Sequence, residues 1–140
     1  MDVLVLIGRI LFSLLFLASA ANHLVLNTKG MSAYAASRGI PAPAPATIGA
    51  GLVILAGGLS VALGIWADLG ALLLAVFLFP TAVLMHGFWK EPTPESRQGE
   101  MTHFLKDCAL GGAALMLLAF FSYAGSDLGL TITGPLFDIR

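Results

Sequence analysis

The sequence predicts an all-α integral membrane protein, a bundle of four transmembrane helices. Three observations predict it. Of the 140 residues, 58% are hydrophobic and 11% charged, against about 25% charged in an ordinary soluble domain. The mean hydropathy is +0.91. Four stretches, residues 3–26, 46–66, 69–89 and 101–123, each supply the roughly 20 mostly apolar residues that a bilayer span needs. Backbone polar groups in lipid must be satisfied within the segment, and runs this long exceed barrel strands, so the spans are helices. No hinge or linker divides them, and residues 1–140 form one domain, with 124–140 as a tail.

The first span carries Arg9 inside it rather than a basic region before it. LASAA resembles a weak cleavage site, but the run is long enough to cross a membrane and is read as a retained helix. Arg9 and His23 lie 14 residues apart, close to four helical turns, so they share a face at opposite ends. The first loop is NTKGMSAYAASRGIPAPAP. Residues 31–37 form a short interfacial helix with Met31 and Tyr34 on one side. A surface helix is the plain expectation, and a lid over a site is the alternative. Gly39 suits a helix C-cap, and PAPAP a stiff extended connector.

In the second span, Ala56, Ser60 and Gly64 make a small-residue row that lets a neighbouring backbone approach. Trp66 anchors the tight turn to the third span at the interface. Pro80 frees a carbonyl near Val76 and predicts a kink, with Thr81 placed to satisfy the freed group. Gly111 and Gly112 suit close packing of the fourth span. In the tail, LTIT has strand propensity, but a lone strand is marginal. The tail is expected along the membrane surface or on a partner.

Charge placed in such a chain is expensive and marks the first place to look for function. Lys29, Arg38, Lys90 and Arg97 fall in loops one and three, with Lys106 close by. Arg9 and Arg140 lie on the other side with Asp2, Asp68, Asp127 and Asp138. The positive-inside rule then puts loops one and three in the cytoplasm and both termini outside. The net charge of −1 gives no basic footprint for nucleic acid. Cys108 is the single cysteine, which excludes an intrachain disulfide, a CxxC motif and a single-chain four-cysteine cluster.

Four antiparallel spans bring His23, His86 and His103 to one membrane face, together with Glu100, Lys106 and Asp107. Glu100, His103 and Asp107 are spaced i, i+3, i+7 and form one stripe, on which His103 and Asp107 can pair. Histidine and carboxylate suit a metal, yet the Glu-x-x-His spacing of di-iron bundles needs a second copy that the chain lacks, so no metal is expected. The same groups can exchange protons with a quinone headgroup near the interface. They can also meet a partner protein, or snorkel to water and close the bundle end. No haem, iron–sulfur cluster or tightly bound flavin is expected, and a quinone is the one cofactor the cluster admits. Arg9 is expected to pair with Asp68 or Asp127, with an anion or lipid headgroup as the alternative.

Four stretches resemble the DoxX family of small bacterial membrane proteins: GRILFSLLFLASAANHL at 8–24, YAASRGIPAPAP at 34–45, GLVILAGGLSVALG at 51–64 and HFLKDCALGGAALML at 103–117. The family usually has Lys near position 23 and Asn near 107, where this chain has His23 and Asp107. The resemblance implies a four-helix protein of the bacterial inner membrane. It also implies a setting among subunits of quinol oxidation, thiosulfate:quinone oxidoreduction and thiol or oxidative stress, with no transferable catalytic set. Two functions are expected on this basis. The first is a non-catalytic accessory subunit of a larger membrane redox or energy-converting complex, with the bilayer and other membrane subunits as partners. The second is a small quinone-linked oxidoreductase using the His/Asp cluster.

Overall fold

The computed structural model describes residues 1–137. Asp138 and Arg140, which entered the charge comparison, lie outside the described residues. Five α-helices follow in order: α1 Asp2–Ala21, α2 Thr28–Ser37, α3 Pro43–Leu63, α4 Ala67–Met85 and α5 Pro94–Ala124. A π-helical turn, Asn22–Leu26, prolongs α1, and short 3-10 turns at Phe88–Lys90 and Gly125–Asp127 prolong α4 and α5. Four of these units are long and apolar enough to cross a membrane, as expected, and α2 is the short helix of the first loop.

Two boundaries differ from expectation for the same reason. α3 starts at Pro43, inside the supposed PAPAP connector, because proline's fixed φ and missing N–H suit a first helical turn. α5 starts at Pro94, seven residues before the apolar run. Thr93 caps it, its Oγ1 accepting from the Ser96 N–H at 3.2 Å. Hydropathy marks where lipid begins, whereas caps mark where a helix begins.

The helices pack in a row: α1 on α3, α3 on α4, α4 on α5. The core joins Phe16 of α1, Ile54 and Val61 of α3, Leu74 and Leu78 of α4, and Phe121 of α5. Glycines set the α3–α4 spacing. A Cβ on Gly57 would meet Leu74 Cδ2 at 2.8 Å, and one on Gly70 would press on Ser60. Outward residues such as Leu11, Val76 and Met116 are more than half exposed, as helices facing hydrocarbon require.

Thr81 Oγ1 donates to the carbonyl of Phe77 at 2.7 Å, not to that of Val76 as expected. A helical hydroxyl reaches back four residues, one short of the carbonyl that Pro80 frees.

Arg9 corrects a second expectation. It is 2% exposed and pairs with neither Asp68 nor Asp127 among the described residues. Its guanidinium donates to the carbonyls of Val61 at 2.9 Å, Ala62 at 2.8 Å and Leu130 at 2.9 Å. The last-turn carbonyls of α3 have no intrahelical partner and carry the negative end of the helix dipole, so they hold a cation as a carboxylate would. Asp68, fully buried, instead accepts the backbone N–H groups of Leu136 at 2.9 Å and Phe137 at 2.6 Å. Ile132 and Thr133 donate to the carbonyl of Gly64 at 3.0 Å. The tail therefore folds back on the α3–α4 turn of its own bundle, with no strand among the described residues.

Candidate functional site

At the other end of the bundle, the loops bring α2, the end of α4 and the start of α5 together. Between them lies a cavity of about 480 Å³. Phe16 and Leu15 of α1, Phe77 and Leu78 of α4, and Leu110 of α5 form its apolar walls. Its polar end carries His23, His86, His103, Lys106 and Asp107. Five of the six side chains expected to converge do so around one space, and Glu100 stands directly behind His86.

His86 is the centre of the arrangement. It terminates α4. Its Nδ1 lies 2.8 Å from Glu100 Oε2, and its Nε2 lies 3.7 Å from Asp107 Oδ2. The expected His103–Asp107 pair is not formed. Asp107, 3% exposed, turns inward toward His86 and Lys106, whose Nζ is 3.2 Å away. His103 is exposed and stacks its ring on His86 at 5.1 Å between centroids. One helical turn puts two residues on the same stripe but does not fix which neighbour each rotamer chooses. The buried carboxylate faces the cross-helix imidazole, 3.7 Å away.

α2 closes this end. Its residues Met31, Tyr34 and Ala35 line the cavity, so the helix is a roof rather than a free surface helix. The Tyr34 hydroxyl donates to Glu100 Oε1 at 2.9 Å, and Arg38 Nη2 donates to the same oxygen at 2.6 Å. Arg38 Nη1 pairs with Glu91, and the guanidinium lies 5.1 Å from the Tyr34 ring centroid. Glu100 thus ties the roof to His86 with three charge-assisted or hydroxyl bonds. Burial pushes the Tyr34 phenol above the ordinary tyrosine range, with Glu100 adding to the shift and Arg38 opposing it. Burial disfavours the Arg38 cation, but hydrogen bonds to Glu91 and Tyr34 and the charge of Glu100 outweigh that, and its pKa is raised.

Tyr34, Arg38 and Glu91 were not among the sequence candidates. Met31, Tyr34 and Arg38 sit at i, i+3, i+7, the same stripe spacing that singled out Glu100, His103 and Asp107, and that signal was present in the first loop. The π turn places His23 with its Nδ1 2.8 Å from the Ser19 carbonyl. Such turns are frequent at functional sites. Gly51 admits it, since a Cβ there would meet His23 Cβ at 2.8 Å and Leu24 Cδ2 at 2.7 Å. Arg9, Asp68 and Asp127 belong to the opposite, tail-bearing end. Among the described residues, no three His, Cys, Asp or Glu side chains converge as a metal-holding group.

Fold and site together define a multi-pass membrane protein with four apolar helices and a roofed, polar-ended cavity at one end. The chain belongs to the DoxX family, which it matches over residues 4–87, more than half its length. That match ends just after His86, so Glu100, His103, Lys106 and Asp107 lie beyond it. No curated protein and no solved structure matches the chain.

Proposed function

We propose that this protein holds the headgroup of a lipid-soluble quinone or quinol and handles its protons, as a small subunit of a larger redox assembly in a bacterial inner membrane. The carrying observation is the cavity itself. It is mostly apolar, it adjoins the outward faces of α1 and α4, and its polar end is His86 held between two carboxylates. A ring with an isoprenoid-like tail needs this combination of apolar walls and a few oriented polar groups. With Nδ1–H donated to Glu100, His86 Nε2, at 3.7 Å beyond hydrogen-bond reach of Asp107, takes a hydroxyl proton when it carries none of its own. Asp107 stands next in line, and Lys106 beside it has its side chain 43% exposed, so the path leads to water. The two electrons released with two protons pass to a redox centre in a partner subunit.

A second function, accessory subunit with no ligand of its own, is favoured by a different observation. Gly8, Gly49 and Gly112 have open space where a Cβ would stand, which lets a neighbouring subunit's helix approach. Extraction in mild detergent, native electrophoresis and quinol titration of the recovered species test both. Co-migration with larger proteins and saturable quinone binding are expected. A pure monomer that oxidises quinol removes the subunit role, and an assembly that binds no quinone leaves only the accessory one. We also place loops α1–α3 and α4–α5 in the cytoplasm. Labelling of Glu95→Cys from outside intact cells contradicts that orientation.

A further inference from the structure

The polar groups of the cavity divide unevenly into donors and acceptors. Its hydroxyl donors are mostly engaged within the protein. Thr47 Oγ1 donates to the Pro43 carbonyl at 2.8 Å, Thr81 Oγ1 to Phe77 at 2.7 Å, and Tyr34 to Glu100 at 2.9 Å. The imidazoles follow the same pattern. A carbonyl only accepts, so His23 Nδ1 carries the proton toward Ser19, and His86 Nδ1 does so toward Glu100. Lys106 leans on Asp107. The remaining donors are the Ser19 hydroxyl, 3.5 Å from His23 Nδ1, and, on the exposed side, His103 and the two N–H groups of Lys106 that Asp107 does not take. The acceptors are left over: Nε2 of His23 and of His86 in their neutral forms, the Asp107 carboxylate, and the lone pairs of Thr47 and Thr81.

We infer, resting on the quinone site proposed above, that the cavity selects the reduced, hydroxyl-bearing form of its ligand: His23 on α1 and His86 on α4 are acceptors for the hydroxyl protons of a quinol. A quinol brings donors to these acceptors. A quinone brings only carbonyl oxygens. These find donors at the exposed side, in Lys106 and His103, but at His23 and His86 they meet lone pairs, and both sides are left unpaired there. Sites built to bond a hydroxyl discriminate strongly against analogues that lack the proton. His23 is a specificity-determining residue in this scheme. The π turn and the Ser19 carbonyl fix its tautomer, and Gly51 leaves room for it.

The full-length protein in lipid nanodiscs tests this with three probes of matched tail: a decyl-substituted benzoquinol, its quinone, and the quinol's dimethyl ether. The quinol is expected to bind at least about tenfold more tightly than the other two. Tenfold corresponds to a rise of about 30 mV in the two-electron potential of the bound couple. His23→Phe keeps a ring but removes the acceptor. It should cut the quinol's advantage at least about threefold while leaving quinone affinity within about twofold. Thr81→Val, nearly isosteric, gives the same comparison on a second acceptor if His23→Phe does not fold. Quinone or ether binding as tightly as the quinol overturns this inference and leaves the quinone site standing. Failure of all three probes to bind overturns the quinone site and this inference with it.

Discussion

Replacing Arg38 with Gln should loosen α2 while leaving the rest of the bundle folded. Arg38 pairs with Glu91 and Glu100, and the three side chains are only 16%, 14% and 16% exposed. They are therefore screened less than a surface pair, whose value is about 0–1 kcal/mol. Each charge-assisted hydrogen bond contributes about 1.5–3 kcal/mol. Glu91 regains water when Arg38 is lost, and Glu100 keeps Tyr34 and His86, so the net cost is about 2–4 kcal/mol. The loss falls on local opening of α2, since few other polar contacts hold it. Amide exchange across Thr28–Ser37 should accelerate roughly thirty- to seven-hundred-fold. Exchange at Ile132 and Thr133, at the far end, should stay as in the native protein. Arg38→Lys should restore only part of the protection, because an ammonium cannot span two carboxylates as the guanidinium fork does. Unchanged exchange in α2, or an equal rise at both ends, would refute the idea that Glu100 and Arg38 latch the roof.

Three further outcomes are expected. Asp68→Ala leaves the N–H groups of Leu136 and Phe137 without their acceptor at a cost of about 1–3 kcal/mol each; faster proteolytic removal of the tail reads it out, and an unaltered cleavage rate contradicts it. Gly51→Ala forces a Cβ onto His23 and Leu24, an overpacking of about 1–3 kcal/mol, seen as a lower thermal midpoint in detergent; a midpoint equal to the native one shows that the π turn yields freely. The third concerns Tyr34, whose raised pKa means that folding favours the protonated phenol. The stability it contributes is fully present below the unfolded value of about 10 and is lost as pH rises through the raised folded value. The phenolate absorbance missing from Tyr34→Phe should accordingly develop above pH ~10, and its development at or below that value disproves the burial of the hydroxyl against Glu100.

The amino-acid sequence by itself determined the membrane class, the four spans, the helical loop segment and the membrane end at which the polar residues gather. Those follow from quantities that are local along the chain: hydropathy summed over a span, helical period, and the alternation of antiparallel helices. It also supplied His23, His86, Glu100, His103, Lys106 and Asp107 as the residues to watch. Only the tertiary structure decided who pairs with whom. Asp107 turns to His86 across the α4–α5 packing rather than to His103 one turn away, and Arg9 meets the carbonyl end of α3 rather than Asp68. Arg38 and Tyr34 arrive at Glu100 from more than sixty residues earlier in the chain. Such choices are made by rotamers and interhelical spacing, which depend on glycines such as Gly51 and Gly70 at contacts that periodicity does not encode. Carbonyl acceptors escape sequence inspection altogether, since every residue carries one and only the folded chain shows which are free to hold a charge.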